Sequence, residues 1–172
     1  MSTILYLSNI EFGAGTIRTL PDVISAIGTA SPFVISDWGL KTTGHVDQVT
    51  AMLSTSVPSF LDVPTNPTEA AVLAGLAAYQ QSGCDGIVAV GGGSPIDLAK
   101  GVALLATHEQ PLSQYAAILG GVARIRPKVA PVVAIPTTAG TGAEVGRAAL
   151  LTLSDGRKLG LISPPHPKAS NL

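Results

Sequence analysis

Short apolar runs recur along this chain at intervals that leave room for a helix between them. ILYLS (4–8), FVIS (33–36), SFLDV (59–63), GIVAV (86–90) and PVVAI (131–135) are examples. Most are continuously apolar rather than alternating, the pattern of strands buried on both faces. Between them the apolar spacing becomes helical. Residues 16–27 predict a helix, although an interior Pro21 would remove a ladder hydrogen bond. A start near Pro21, with the proline in the first turn, resolves that conflict. Residues 45–53 predict a second helix. PTNPTEAAVLAGLAAYQQSG opens a third, with Asn66 as cap, Pro67 at the first helical position and Glu69 three residues after the cap. Its apolar stripe is Ala70, Leu73, Leu76 and Ala77, and Gly83 is placed to end it. Residues 95–106 predict a fourth. Finally, RAALLTLSDGRKLGLIS sets two apolar runs around Asp155-Gly156, which reads as a β-hairpin.

Repeated strand–helix–strand units with continuous apolar strands predict an α/β fold, a parallel sheet with helices on both faces and a C-terminal hairpin. Ligands bind outside the carboxyl ends of the strands in such sheets. Three polar segments fall there: Asp37, the loop at 91–94, and PTTAGTG at 136–142. Gly91, Gly92 and Gly93 remove the β-carbons that would keep an anion from backbone N–H groups. A helix beginning near Pro95 would point unsatisfied N–H groups at the same spot, and Ser94 can add a hydroxyl. The combination reads as a phosphate site. Its spacing is neither the G-x-G-x-x-G fingerprint nor a Walker A loop. Lys100, two turns further on, reads as a solvated or bracing side chain that pairs with Asp97 at i, i+3.

Asp37 could accept hydrogen bonds from ribose hydroxyls, and equally could be a turn residue or helix cap. PTTAGTG offers the hydroxyls of Thr137, Thr138 and Thr141 among small residues, or is simply a polar loop. His45, His108 and His166 are far apart and unpaired in spacing. No cluster with metal-ligand spacing, nucleophile elbow or Ser/His/Asp set is present, so no catalytic residue is assigned.

Composition sharpens this picture. The 172 residues are 46% hydrophobic and 12% charged, about half the usual charged fraction. The surplus apolar area implies a face covered by a second domain, another subunit or a partner. A net charge of −1 without a basic stripe argues against nucleic acid and anionic membrane as partners. No apolar run approaches ~20 residues, and the N-terminus lacks a secretory pattern. The single Cys84 excludes an internal disulfide and fits the cytoplasm.

GGGSPIDLAK followed some forty residues on by AIPTTAGTGAEV resembles the iron-containing (group III) alcohol dehydrogenase family. FGAG near the start, ISDWG, PTNPT and SDGRKLGLISP fit the family pattern in order. The resemblance implies a Rossmann-like dinucleotide-binding domain over residues 1–163, followed here by a proline-rich tail at 164–172. It implies cofactor contacts at Asp37, Asn66, Gly92, Gly93, Ser94, Thr137, Thr138, Thr141 and Lys158. The cofactor is expected to be NAD, with NADP disfavoured by Asp37.

Two departures matter. Gly146 stands where the family usually has threonine. The family's all-helical domain, whose aspartate and histidines hold divalent iron, would lie beyond this chain. His166 in the tail is not read as a substitute ligand, so no metal ligand is assigned. The expectation is the cofactor-binding half of an NAD(P)-dependent dehydrogenase that exchanges a hydride with a small alcohol or aldehyde. This chain alone would not be competent for that reaction. The alternative is a non-catalytic nucleotide-binding or interaction module that kept the fold.

Overall fold

The structure is a computed structural model that describes residues 2–5, 9–53, 56–162 and 170–171. Its centre is a seven-stranded sheet in the order β1-β2-β9-β6-β5-β3-β4. The core strands are β3 (Pro32–Ile35), β5 (Gly86–Gly91) and β6 (Val132–Pro136), paired parallel. β4 (Ser59–Phe60) lies at one edge, parallel to β3. At the other edge β1 (Ser2–Leu5) and β2 (Asn9–Phe12) form an antiparallel pair. β9 (Ser170–Asn171) runs parallel between β2 and β6. The remainder of the proline-rich segment 164–172 lies outside the described residues.

The continuous apolar runs are explained by two cores. Phe33, Ile35, Ile87, Ala89 and Ala134 belong to one cluster, whereas Val34, Val88, Val90, Val133 and Ile135 belong to the other. Successive strand residues point to opposite faces, so a strand covered on both has no polar position. Helices α1 (Leu20–Ala26) and α3 (His45–Leu53) supply Leu20, Val23, Ile24, Val46 and Val49 to one face. Helices α4 (Glu69–Ser82) and α5 (Gly93–Leu105) cover the other through Val72, Leu76, Ile96, Leu98 and Val102. Helix α5 is buried nearly all round because the hairpin of β7 (Ala148–Thr152) and β8 (Lys158–Ile162) packs on its outer side. An added Cβ at Gly101 would lie 3.0 Å from both Leu151 Cδ1 and Val72 Cγ2.

Several expectations need correction. Pro21 does lie in the first turn of α1, and residues 16–19 form a separate 3-10 turn. The predicted strand at 4–8 is seen as β1, three residues earlier at its end, with 6–8 outside the described residues. β2 was not predicted, because NIEF is short and neither of its faces is buried. Helix α2 (Trp38–Thr42) is only five residues long and contains Gly39, too little for a periodic signal.

The α4 cap is Thr68 rather than Asn66: Thr68 Oγ1 accepts from the Ala71 N–H at 3.2 Å. The apolar stripe shifts accordingly to Val72, Gly75, Leu76 and Tyr79, and Ala70 and Ala77 are exposed. Gly75 is chosen for the contact because a Cβ there would meet Val102 at 3.1 Å. Gly83 ends the helix with φ +68°, as expected.

Residues 107–130 carry no sequence signal, and hold three 3-10 turns, Leu112–Tyr115, Ala117–Leu119 and Gly121–Arg124. Ile118, Leu119 and Val122 on these turns are exposed large apolar side chains. Beside them, buried His108 accepts from the Arg126 backbone N–H through Nε2 at 2.8 Å. Its Nδ1 lies 3.0 Å from the Leu104 carbonyl, so the neutral ring with hydrogen on Nδ1 satisfies both contacts. Burial, aided by Arg126, pushes this imidazole below its usual 6.5 against the opposing pull of the Leu104 carbonyl. The unfolded chain therefore binds more protons than the folded one at mildly acid pH. Stability contributed by neutral His108 should be complete above about pH 6.5 and fall as pH drops through the lower folded value. Urea midpoints measured between pH 8 and 5 should decline, and the decline should shrink in His108→Gln. Equal slopes in the two proteins would exclude His108 as the source.

Candidate cofactor-binding site

The chain leaves β3 for the edge strand β4 and then returns past β3 to build β5. The carboxyl ends of β3 and β5 therefore flank the point where the winding reverses, the usual place for a ligand crevice. Buried Ser36 ties these ends together by donating to the Val90 carbonyl at 2.8 Å. An open cleft of about 940 Å³ lies there. Asp37, Gly92, Gly93, Ser94, Thr137 and Thr138 all line it. A second cleft, of about 370 Å³, adjoins it through Thr65, Gly93 and Ser94, and its walls include Asn66, Thr141 and Lys158. The two clefts thus bring together all nine residues singled out from the sequence.

The N-terminus of α5 sits at their junction. This helix starts at Gly93, two residues before the expected Pro95, with Gly92 as a cap that has no side-chain hydrogen bond. Helices α2 and α4, by contrast, are capped by Asp37 and Thr68. The first-turn amides of α5 have no partner within the helix, and its positive dipole end faces the clefts. Gly91 has φ +150°, and a Cβ there would fall 2.5 Å from Pro95 Cγ. A Cβ on Gly93 would press on Thr141 at 3.1–3.3 Å. The backbone is bare because the loops close on it, and the remaining space suits an anion. The Ser94 hydroxyl is already committed, since it donates to the Thr65 carbonyl. Ser94 therefore offers its amide to a ligand and its side chain to the neighbouring loop.

Asp37 proves to be a helix cap, with Oδ1 accepting from the Leu40 N–H at 2.9 Å. It also bridges Asp62 through the backbone. Asp62, not anticipated from the sequence, accepts from Trp38 Nε1 at 2.8 Å. Its signal was available, for it follows the β4 run much as Asp37 follows β3. Trp38 is 58% exposed and lines the larger cleft. That cleft has two carboxylates and no Lys or Arg among its lining residues. Nearby Lys41 is paired with Asp47.

The hairpin is brought in from far along the chain. Thr152 donates its N–H to the Pro67 carbonyl at 2.9 Å, and Ser154 N–H to Glu69 Oε2 at 3.0 Å. This docking places Lys158 Nζ 3.4 Å from Asn66 Oδ1. The loop bearing Thr137 is held by a 3.0 Å bond from its N–H to the Gly91 carbonyl. Lys100 is a bracing residue rather than a solvated one: 17% of its side chain is exposed and its ammonium reaches three carbonyls. Among the described residues no three His, Cys, Asp or Glu side chains are grouped to hold a metal ion, so these residues do not fit the family's iron. His166 lies outside them.

Comparison with known proteins defines the class. The profile described as "Iron-containing alcohol dehydrogenase" matches residues 8–170, and the chain belongs to that family. It is 49% identical over 164 residues to 4-hydroxybutyrate dehydrogenase of Cupriavidus necator, covering 95% of this chain and 43% of that protein. It is 38% identical over 146 residues to 1,3-propanediol dehydrogenase of Klebsiella pneumoniae, covering 82% of this chain and 37% of that protein. The crystal structure of a 1,3-propanediol oxidoreductase superimposes with a TM-score of 0.85 at 35% identity, over 94% of this chain and 43% of that one. Sulfoacetaldehyde reductase from Bifidobacterium kashiwanohense, solved in complex with NAD+, gives 0.84 at 27% identity over the same shares. The chain thus spans less than half the length of these relatives and corresponds to their N-terminal part.

Proposed function

We propose that this chain is the dinucleotide-binding half of an alcohol dehydrogenase that prefers NAD to NADP and, as a complete enzyme, acts on a small alcohol or aldehyde. The observation that carries this reading is the uncapped N-terminus of α5 at the junction of two clefts lined by all nine expected residues. The NAD+ complex of the sulfoacetaldehyde reductase supports it.

A bound nicotinamide supplies the hydride acceptor or donor. The chain's own residues bind and orient. The amides of Gly92, Gly93 and Ser94 hold the pyrophosphate, and Asp37 accepts from the ribose hydroxyls. Thr137 and Thr138 line the same cleft, while Thr141, Asn66 and Lys158 receive the other half. A 2′-phosphate would meet Asp37 and Asp62 without a lining cation, which supports NAD over NADP. None of these residues is assigned as acid, base or metal ligand, and iron would be held outside the described residues.

No helix among the described residues is long and apolar enough to cross a membrane. Its place, in this reading, is the cytoplasm, with no nucleic-acid or membrane partner. The exposed Ile118, Leu119 and Val122 are its natural surface for self-association or for meeting the rest of the enzyme.

Calorimetric titration of the purified chain with NADH, metal-free and then with ferrous iron or zinc, tests the reading. Saturable binding near one per chain and indifferent to metal is expected. Absence of binding at millimolar NADH would reject the cofactor site. Alcohol-dependent NADH formation by this chain alone, with about one metal bound, would reject its assignment as half of the enzyme.

A further inference from the structure

The bracing contacts of Lys100 join segments that the clefts need to keep together. Its Nζ donates to the carbonyls of Ala143 at 2.6 Å, Gly146 at 2.9 Å and Ala148 at 2.8 Å. These three acceptors exhaust the three donors of an ammonium. Asp97, one turn earlier on α5, faces Nζ at 3.4 Å through Oδ1 and accepts from the Leu150 N–H at 3.0 Å through Oδ2. Two side chains of one helix thus hold four backbone groups between residues 143 and 150. Gly142, Ala143, Gly146, Ala148 and Leu150 form a wall of the smaller cleft, with Thr141 beside them. Lys100 itself is not among the residues lining either cleft.

We infer that Lys100 is a positioning residue that, with Asp97, holds the 141–150 segment against the first turns of α5 and so shapes the half of the site beyond the pyrophosphate. The inference rests on the dinucleotide reading above. Its chemistry fits the role. A neutral side chain could not satisfy three carbonyls, and an ammonium in so dry a place requires them. Burial lowers the Lys100 pKa, and Asp97 and Glu144 oppose that shift, so the cation is kept by its partners. The position that departs from the family pattern, Gly146, supplies one of the three carbonyls. The hydroxyl it lacks leaves the backbone grip intact.

Lys100→Met retains the length of the stem and removes the donors. In the dinucleotide reading ADP would occupy the larger cleft and the pyrophosphate amides, and NADH would also enter the smaller cleft, so the two ligands separate positioning from general collapse. In Lys100→Met we expect NADH to bind about tenfold or more weakly, the scale of one lost hydrogen bond to a charged group. ADP should change by less than about threefold. Amide exchange should quicken across 143–150 and stay slow in α5 and β5. If the unpaired Asp97 carboxylate prevents folding, Lys100→Met combined with Asp97→Asn carries neither charge; because Asp97 lines the smaller cleft, its NADH and ADP binding is compared with that of Asp97→Asn alone.

Equal losses of NADH and ADP, or faster exchange throughout α5, would overturn the inference in favour of a purely structural role. Unchanged NADH binding would overturn it as well. If the unsubstituted chain binds neither NADH nor ADP, the dinucleotide reading fails by itself. Exchange in the variants then still decides whether Lys100 holds the segment.

Discussion

Gly91→Ala is expected to unfold more easily than the parent chain and to lose NADH binding measurable by calorimetry. Position 91 has φ +150°, a region that L side chains rarely adopt. The new methyl would lie 2.5 Å from Pro95 Cγ, 3.0 Å from Pro95 Cβ and 3.3 Å from Leu40 Cδ1. Pro95 cannot rotate away, because its ring is closed onto the backbone of the first α5 turn. Relief therefore requires moving α5 relative to β5. The Gly91 carbonyl also receives the Thr137 N–H, so the threonine loop would move with it.

Backbone strain and overpacking of this kind cost roughly 1–3 kcal/mol each. A domain of this size shifts its midpoint by about 2–4 °C per kcal/mol, so a fall of roughly 4–24 °C is expected by differential scanning calorimetry. Gly92→Ala is the matched comparison. Its nearest contact would be Thr138 Oγ1 at 3.5 Å, ordinary van der Waals distance, and its midpoint should stay within a few degrees of the parent. Equal midpoints for both variants would show that the loop relaxes around residue 91.

Asp37→Asn should shift cofactor preference toward NADPH by about tenfold or more. Coulomb repulsion between a carboxylate and a phosphate a few ångströms apart is worth about 1–4 kcal/mol at dielectrics between those of water and of a protein surface. Asparagine still accepts the Leu40 N–H and caps as well as aspartate, so α2 should persist. Asp37→Gly removes both charge and acceptor, and comparing the two variants separates electrostatics from helix position. Asp62 remains beside the cleft in each, so some preference for NADH should survive. The shift should shrink as salt is raised. A ratio of NADPH to NADH affinity unchanged in Asp37→Asn would remove Asp37 from the discrimination.

Much of this arrangement was legible because it depends on local chemistry. GIVAV has no polar residue and therefore must lie between two covered faces, as β5 does. The three glycines predict close backbone approach, and Gly91 and Gly93 are where added carbons would clash. Asp155-Gly156 predicts a hairpin, and the β7–β8 hairpin is found. What escaped depends on partners distant in sequence or on elements too short to show a period. Nothing near Lys158 says that it will face Asn66, since the contact follows from docking the hairpin on α4. The stripe of α4 moved because Thr68 is extended and bridges Thr152, which delays the helix start. For Lys100 the sequence left solvated and bracing roles open, because the acceptors that decide between them are backbone carbonyls, which every sequence contains. Trp38 and Asp62 belong to a five-residue helix and a strand end, and only the fold brings them into contact.

Trp38 is the chain's one tryptophan, and it stands at the mouth of the larger cleft with its indole tethered to Asp62. The indole emission of this protein consequently has a single address. The dihydronicotinamide ring absorbs where indole emits, so bound NADH can drain that emission by energy transfer. ADP, lacking the ring, can change it only by touching the indole or its tether. Quenching by both ligands would report contact at the adenosine end, and quenching by NADH alone would report the distance to the far ring. The chain carries its own ruler between the two ends of the ligand.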